Sequence, residues 1–122
     1  MMRKYDLEDR LIRFGVIMIK TAEKLPRSFA GNHLSSQLIR SGTAPALNYG
    51  EALSAESRND FIHKMKIALK ELRETRNCLK IISQLSWLEV EPIDIQLKET
   101  GELIPIFVKS IETAKRNKLV AK

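Results

Sequence analysis

The sequence has 122 residues, of which 43% are hydrophobic and 30% charged, and its formal net charge is +6. That balance supplies one core for a single domain and argues against disorder, while the basic excess permits, without requiring, an anionic partner such as nucleic acid. A lone cysteine, Cys78, excludes an internal disulfide, the opening Met1-Met2-Arg3-Lys4-Tyr5-Asp6 lacks the apolar centre of a signal peptide, and no apolar run could cross a bilayer, so a cytoplasmic protein without a membrane partner is expected.

Apolar residues at Leu7, Leu11, Phe14, Met18, Ala22 and Leu25 recur by threes and fours and predict a first helix over 7–25, capped by Asp6 and stopped by Pro26. Ile12, Val16 and Ile19 form a second stripe on another side of it. A second helix is expected over 33–52, with Asn32 as its cap after a turn at Gly31. Its core side, Leu34, Leu38, Ser41, Pro45 and Tyr49, is small in the middle, which lets helix axes approach closely. Pro45 removes a backbone donor and predicts a kink.

The third helix starts at a Ser57 cap, with Asp60 three residues on, and ends near Ser86. Phe61, Met65, Ala68, Leu69, Leu72, Leu79 and Ile82 make its apolar face, and Lys66, Lys70, Arg73 and Lys80 line up as a basic stripe beside it. Arg76 falls among the apolar residues, either as a guanidinium snorkelling to the edge of the core or as a buried ion-pair partner. Trp87 in the following turn reads as a plug for the end of the bundle or as a ligand platform. Pro92 suits the first position of a fourth helix, whose core stripe is Ile93, Leu97, Ile104, Phe107, Ile111 and Ala114. Ile95, Leu103 and Ile106 lie on another side. Pro105 predicts a second kink, and the tail over 115–122, with Lys115, Arg116, Lys118 and Lys122, is expected to fray.

Four helices joined by short connections predict an all-α, up-down-up-down antiparallel four-helix bundle spanning 1–122 as one domain. Ile12, Val16, Ile19, Ile95, Leu103 and Ile106 are apolar beyond what one bundle buries, so they are the expected oligomer interface.

Two stretches, SSQLIRSGTAPALNYGEA (35–52) and SRNDFIHKMKIALKELRETRNCL (57–79), go beyond periodicity. Ser36, Gln37, Leu38, Arg40, Pro45, Asn48 and Glu51 in the first, and Phe61, Ile62, Ile67, Ala68, Glu71 and Glu74 in the second, resemble the signature of the bacterial four helix bundle proteins, also called 23S rRNA intervening-sequence proteins. Gly42, Thr43 and Gly50 depart from it where alanine, valine or serine is common. The resemblance implies a subunit that assembles into a homo-oligomeric ring, often a pentamer. More distantly, the accessory protein of diversity-generating retroelements is similar and acts with a reverse transcriptase and nucleic acid.

Catalytic and metal chemistry is not indicated. His33 and His63 fall on different helices, Cys78 has no second cysteine, and no phosphate loop or nucleophile elbow is present, so no cofactor, no metal and no enzymatic activity are expected. Arg40, Asn48 and Glu51 form a polar group on helix two: Asn48 reads as an interhelical hydrogen bond that sets register, or the three together as a binding site. Glu71 and Glu74 alternate with Lys70 and Arg73 and read as part of a solvated face. The expected function is a non-enzymatic oligomer that binds RNA, DNA or a nucleoprotein through Lys66, Lys70, Arg73 and Lys80; the alternative is a protein-interaction scaffold with no nucleic-acid role.

Overall fold

The computed structural model describes residues 4–120 of the chain, with side chains over 6–117. These residues form four helices, α1 (Lys4–Ala22), α2 (Phe29–Leu53), α3 (Arg58–Leu85) and α4 (Val90–Val120), with no strand among them. The arrangement is all-α and consistent with a four-helix bundle. Leu11, Met18, Leu38, Met65, Leu72 and Phe107 lie at the centre of the shared core. The Tyr49 and Phe107 rings meet edge to face there, 6.0 Å apart at 72°.

Three helix starts differ from the sequence expectation, for identifiable reasons. The first helix begins at Lys4, so Asp6 sits inside its first turn rather than at its cap, where its charge suits the positive end of the helix dipole. It ends at Ala22, not Leu25. The Lys24 and Leu25 amides donate to Thr21 and Ala22, tightening the exit, and Leu25 enters the core from this turn. The second helix begins at Phe29, four residues early. Ser28 is its cap: the Ser28 hydroxyl oxygen accepts from the Gly31 amide at 3.0 Å, so neither Gly31 nor Asn32 marks the boundary. Gly31 has ordinary helical geometry, but a Cβ there would lie 1.8 Å from the Pro26 carbonyl oxygen. Glycine is required by the loop folded against it, not by a turn.

The third helix agrees with expectation. Ser57 caps it by accepting from the Asp60 amide, and Ser86, at φ 57°, ends it in the left-handed conformation. The fourth begins at Val90, which puts Pro92 third rather than first; an amide in the first turn has no intrahelical acceptor, so the proline is tolerated. This helix continues through Val120 instead of fraying at 115, because Ala114, Lys115 and Arg116 are strong helix formers with no breaker after them. Lys122 lies outside the described residues. Both Pro45 and Pro105 lie within helices that continue past them.

Small residues bring α1 and α2 together. A Cβ on Gly42 would stand 2.5 Å from Met18 Cγ, and one on Gly15 would touch Gly42 and Thr43. By contrast, no Cα of α1 comes within 8 Å of α4 among the described residues. That wider seam is bridged by Arg10, whose Nε and Nη2 donate to both carboxylate oxygens of Glu99 at 2.7 and 2.8 Å and whose Nη2 also reaches Glu102 at 3.0 Å. The fork on Glu99 raises the Arg10 pKa against the opposing effect of burial.

Candidate nucleic-acid interface

Acids and bases alternate in the middle of α3, but in space they separate. Glu71 and Glu74 turn toward α2 and pair with Arg40, which donates to Glu71 at 3.0 Å and also to Glu74 and Gln37. The two glutamates are therefore ion-pair partners of another helix, not a solvated face. The cause is helical spacing: residues 70 and 73 lie on the flank about 100° round from the 71–74 row, toward the groove with α4. Further along, Lys64 donates to Glu51 of α2 at 2.7 Å, and the ion pair raises the lysine pKa.

Lys66, Lys70, Arg73 and Lys80 are all exposed, and none has an ion-pair partner among the described residues. The first three line a groove of about 480 Å³ between α3 and α4. Leu69, Val108 and Ile111 line it with aliphatic surface, while Lys115 and Glu112 contribute a cation and an acid from α4. Lys80 is not part of this groove; it follows Arg73 by seven residues, roughly 10 Å along the helix axis. Lys115 joins the site because α4 stays helical past Ala114. A sequence reading that gave residue 115 to a frayed tail could not place it, although its spacing from Ile111 was the available signal.

The polar group on helix two is divided. Arg40 and Glu51 carry the ion pairs to α3, whereas Asn48 donates to the Ala44 carbonyl of its own helix at 2.9 Å, so Asn48 is not the expected interhelical hydrogen bond. The reason is local: a short amide side chain reaches the carbonyl one turn back without crossing a helix interface. Arg76 is half-buried with no ion-pair partner among the described residues, and its Nε is buried without a hydrogen bond. Trp87 packs against the end of the core.

The surplus apolar residues fall on separate sides. Ile12 and Val16 are 51% and 44% exposed and flank Gly15, the residue that abuts Thr43 of α2; Ile19 is half-buried. Ile95, 60% exposed, faces Ile17 across the α1–α4 groove, and Ile106 is half-buried against the core. Leu103 is fully buried, which corrects its assignment to an outer face. It neighbours Phe107 one turn on, and the buried stripe of a bundle helix is wide enough to include both. Ile17 and Leu47, 44% and 66% exposed, were not singled out by periodicity.

Among the described residues no group of three or more His, Cys, Asp or Glu could hold a metal ion. His33 and His63 are exposed. Cys78 is buried, its thiol directed at the Leu34 carbonyl, and burial pushes its pKa up. No helix among the described residues is long and apolar enough to cross a membrane.

Comparison with known proteins agrees with this architecture. Residues 3–109 match the family described as 23S rRNA-intervening sequence protein. A crystal structure of a protein with unknown function from the S23 ribosomal protein family of Bacteroides thetaiotaomicron is similar, with a TM-score of 0.79 and 30% identity over 85% of this chain and 96% of that one. No curated protein matches the chain.

Proposed function

Because this chain belongs to the 23S rRNA-intervening sequence protein family, we propose that it is a non-enzymatic, cytoplasmic, up-down-up-down bundle that assembles into a homo-oligomeric ring and binds nucleic acid or a nucleoprotein through the α3–α4 groove. The observation that carries the binding role is the sorting of charge on α3. Arg40 takes up Glu71 and Glu74, while Lys66, Lys70 and Arg73 have no ion-pair partner among the described residues and line the groove with Lys115 on α4. Unpaired cations grouped on one rim supply a phosphate-binding field with little sequence choice. Contact pairs support the antiparallel order: Gly15 meets Thr43, Arg40 meets Glu71, and Glu51 meets Lys64. Ring assembly is supported by two separate apolar faces, one at Ile12 and Val16 and one at Ile95, as a heterologous interface requires. The pentamer number rests on family resemblance alone.

The test is binding of a labelled RNA or DNA by the wild type and by a Lys66→Gln/Lys70→Gln/Arg73→Gln variant across a salt series. Loss of three phosphate contacts should flatten the salt dependence with helicity unchanged. Wild-type binding that survives the triple substitution unaltered would overturn the assignment of the groove. The scaffold reading is favoured by one observation, the acid Glu112 within the groove; it would take over if nothing bound at low salt.

A further inference from the structure

We infer that the α3–α4 groove is built for double-helical rather than single-stranded nucleic acid; this rests on the nucleic-acid reading above and narrows it. The side chains between the cationic rims are Leu69, Val108 and Ile111, all aliphatic. A flexible single strand loses conformational freedom when bound, and proteins that hold one compensate by stacking its bases on aromatic rings. The rings among the described side chains lie elsewhere: Phe14, Tyr49 and Phe107 are in the core, Trp87 packs against it, Phe61 lines a different cavity, and Phe29 is at the start of α2. What the groove offers is charge on a rigid frame. Lys66, Lys70 and Arg73 follow one another at roughly 6 and 4.5 Å along the helix axis. A duplex is already ordered and carries twice the axial charge density of one strand, so a fixed cation array engages it without an ordering cost.

Glu112 gives the inference a second handle. Its carboxylate shares the groove with the four cations and would repel phosphate. Neutralising it should strengthen duplex binding, a gain that misfolding cannot imitate.

The experiment compares the wild type with mixed-sequence DNA and RNA duplexes of about 20 base pairs, their isolated strands, and polyglutamate of matched charge, from about 50 to 200 mM salt. Four cation contacts predict a log–log salt slope of about −3.6 for a DNA duplex, a loss of about 150-fold over that range. Duplexes should bind at least about fivefold more tightly than their strands, Glu112→Gln should tighten duplex binding, and Lys66→Gln/Lys70→Gln/Arg73→Gln should bring the slope to about −0.9. Strands that bind as tightly as duplexes would overturn the inference and leave the nucleic-acid reading in place. Polyglutamate binding as tightly as a duplex would reduce the groove to a general anion sink and overturn it. An unchanged duplex affinity in Glu112→Gln would remove the groove as the contact. Absence of binding by any nucleic acid at the lowest salt would overturn both readings.

Discussion

Arg40 of α2 and Glu71 of α3, 31 positions apart in the chain, meet at 3.0 Å across the helix interface. The guanidinium is half exposed, while the Glu71 side chain is only 14% exposed. The pair does two things at once. It ties α2 to α3, and the same guanidinium also engages Glu74, the carboxylate four residues on from Lys70 that would otherwise be available to that lysine. The unpaired state of the cations on the groove therefore depends in part on a contact made on the neighbouring flank of the same helix.

Removing this contact should have a small, measurable cost. Arg40→Met is expected to lower stability by about 0.5–1 kcal/mol, the scale of a solvent-screened pair. A double-mutant cycle with Glu71→Gln, read by urea unfolding, should return a coupling energy of the same sign. Additive effects of the two substitutions would show that the pair contributes nothing to stability.

Three glycines inside helices should respond differently to alanine. Gly31→Ala places a methyl against the Pro26 carbonyl, which is backbone and cannot rotate away, so a loss of at least about 2 kcal/mol is expected. Gly42→Ala meets Met18 Cγ and Cβ at 2.5 and 2.6 Å; the Cβ is fixed to the α1 backbone, so the two helices must shift apart, at a cost of about 1–3 kcal/mol. Gly101→Ala meets nothing within 4 Å and should gain up to about 1 kcal/mol from helix propensity. Thermal and denaturant unfolding of the three variants checks the signs.

Alkaline pH should destabilise the protein partly through Tyr49. Burial, and to a lesser degree the Glu8 charge, raise the Tyr49 pKa above its ordinary 10.0 by disfavouring phenolate. A raised folded-state value contributes stability that is complete below about pH 10 and is lost as pH climbs through that raised value. Lys64, whose pKa is raised by Glu51, loses its ion pair in the alkaline range as well. Tyr49→Phe should therefore shallow the fall in stability above about pH 10 without abolishing it. Equal slopes in wild type and variant, measured by denaturant titration at stepped pH, would contradict this.

Assembly and folding should separate at two apolar positions. Val16 is exposed within the chain, so Val16→Asp should leave helicity intact while dissociating an oligomer built on that face, because the interface would bury an unpaired charge. Leu103 is inside the core, so Leu103→Asp should unfold the subunit itself. Light scattering during size exclusion, with circular dichroism on the same samples, distinguishes the two. A wild-type monomer mass at micromolar concentration would rule out the assembly.

Local signals made much of this protein legible from its sequence. Ser57 and Asp60 marked the start of α3, threefold and fourfold spacing picked out Leu11, Met18, Met65 and Phe107 as core, and the small residues of helix two signalled a close helix approach without saying to which helix. These are properties of a few consecutive residues and need no knowledge of neighbours. Tertiary structure decided which flank of each helix meets what. It alone set Glu71 against Arg40, turned Leu103 inward, kept Asn48 on its own helix and brought Lys115 to the groove that Lys66, Lys70 and Arg73 line. Periodicity states that residues share a face, but the rotation of a helix about its axis is chosen by packing against partners distant in the chain. Charges that alternate along a sequence can therefore end as a paired flank and an unpaired one.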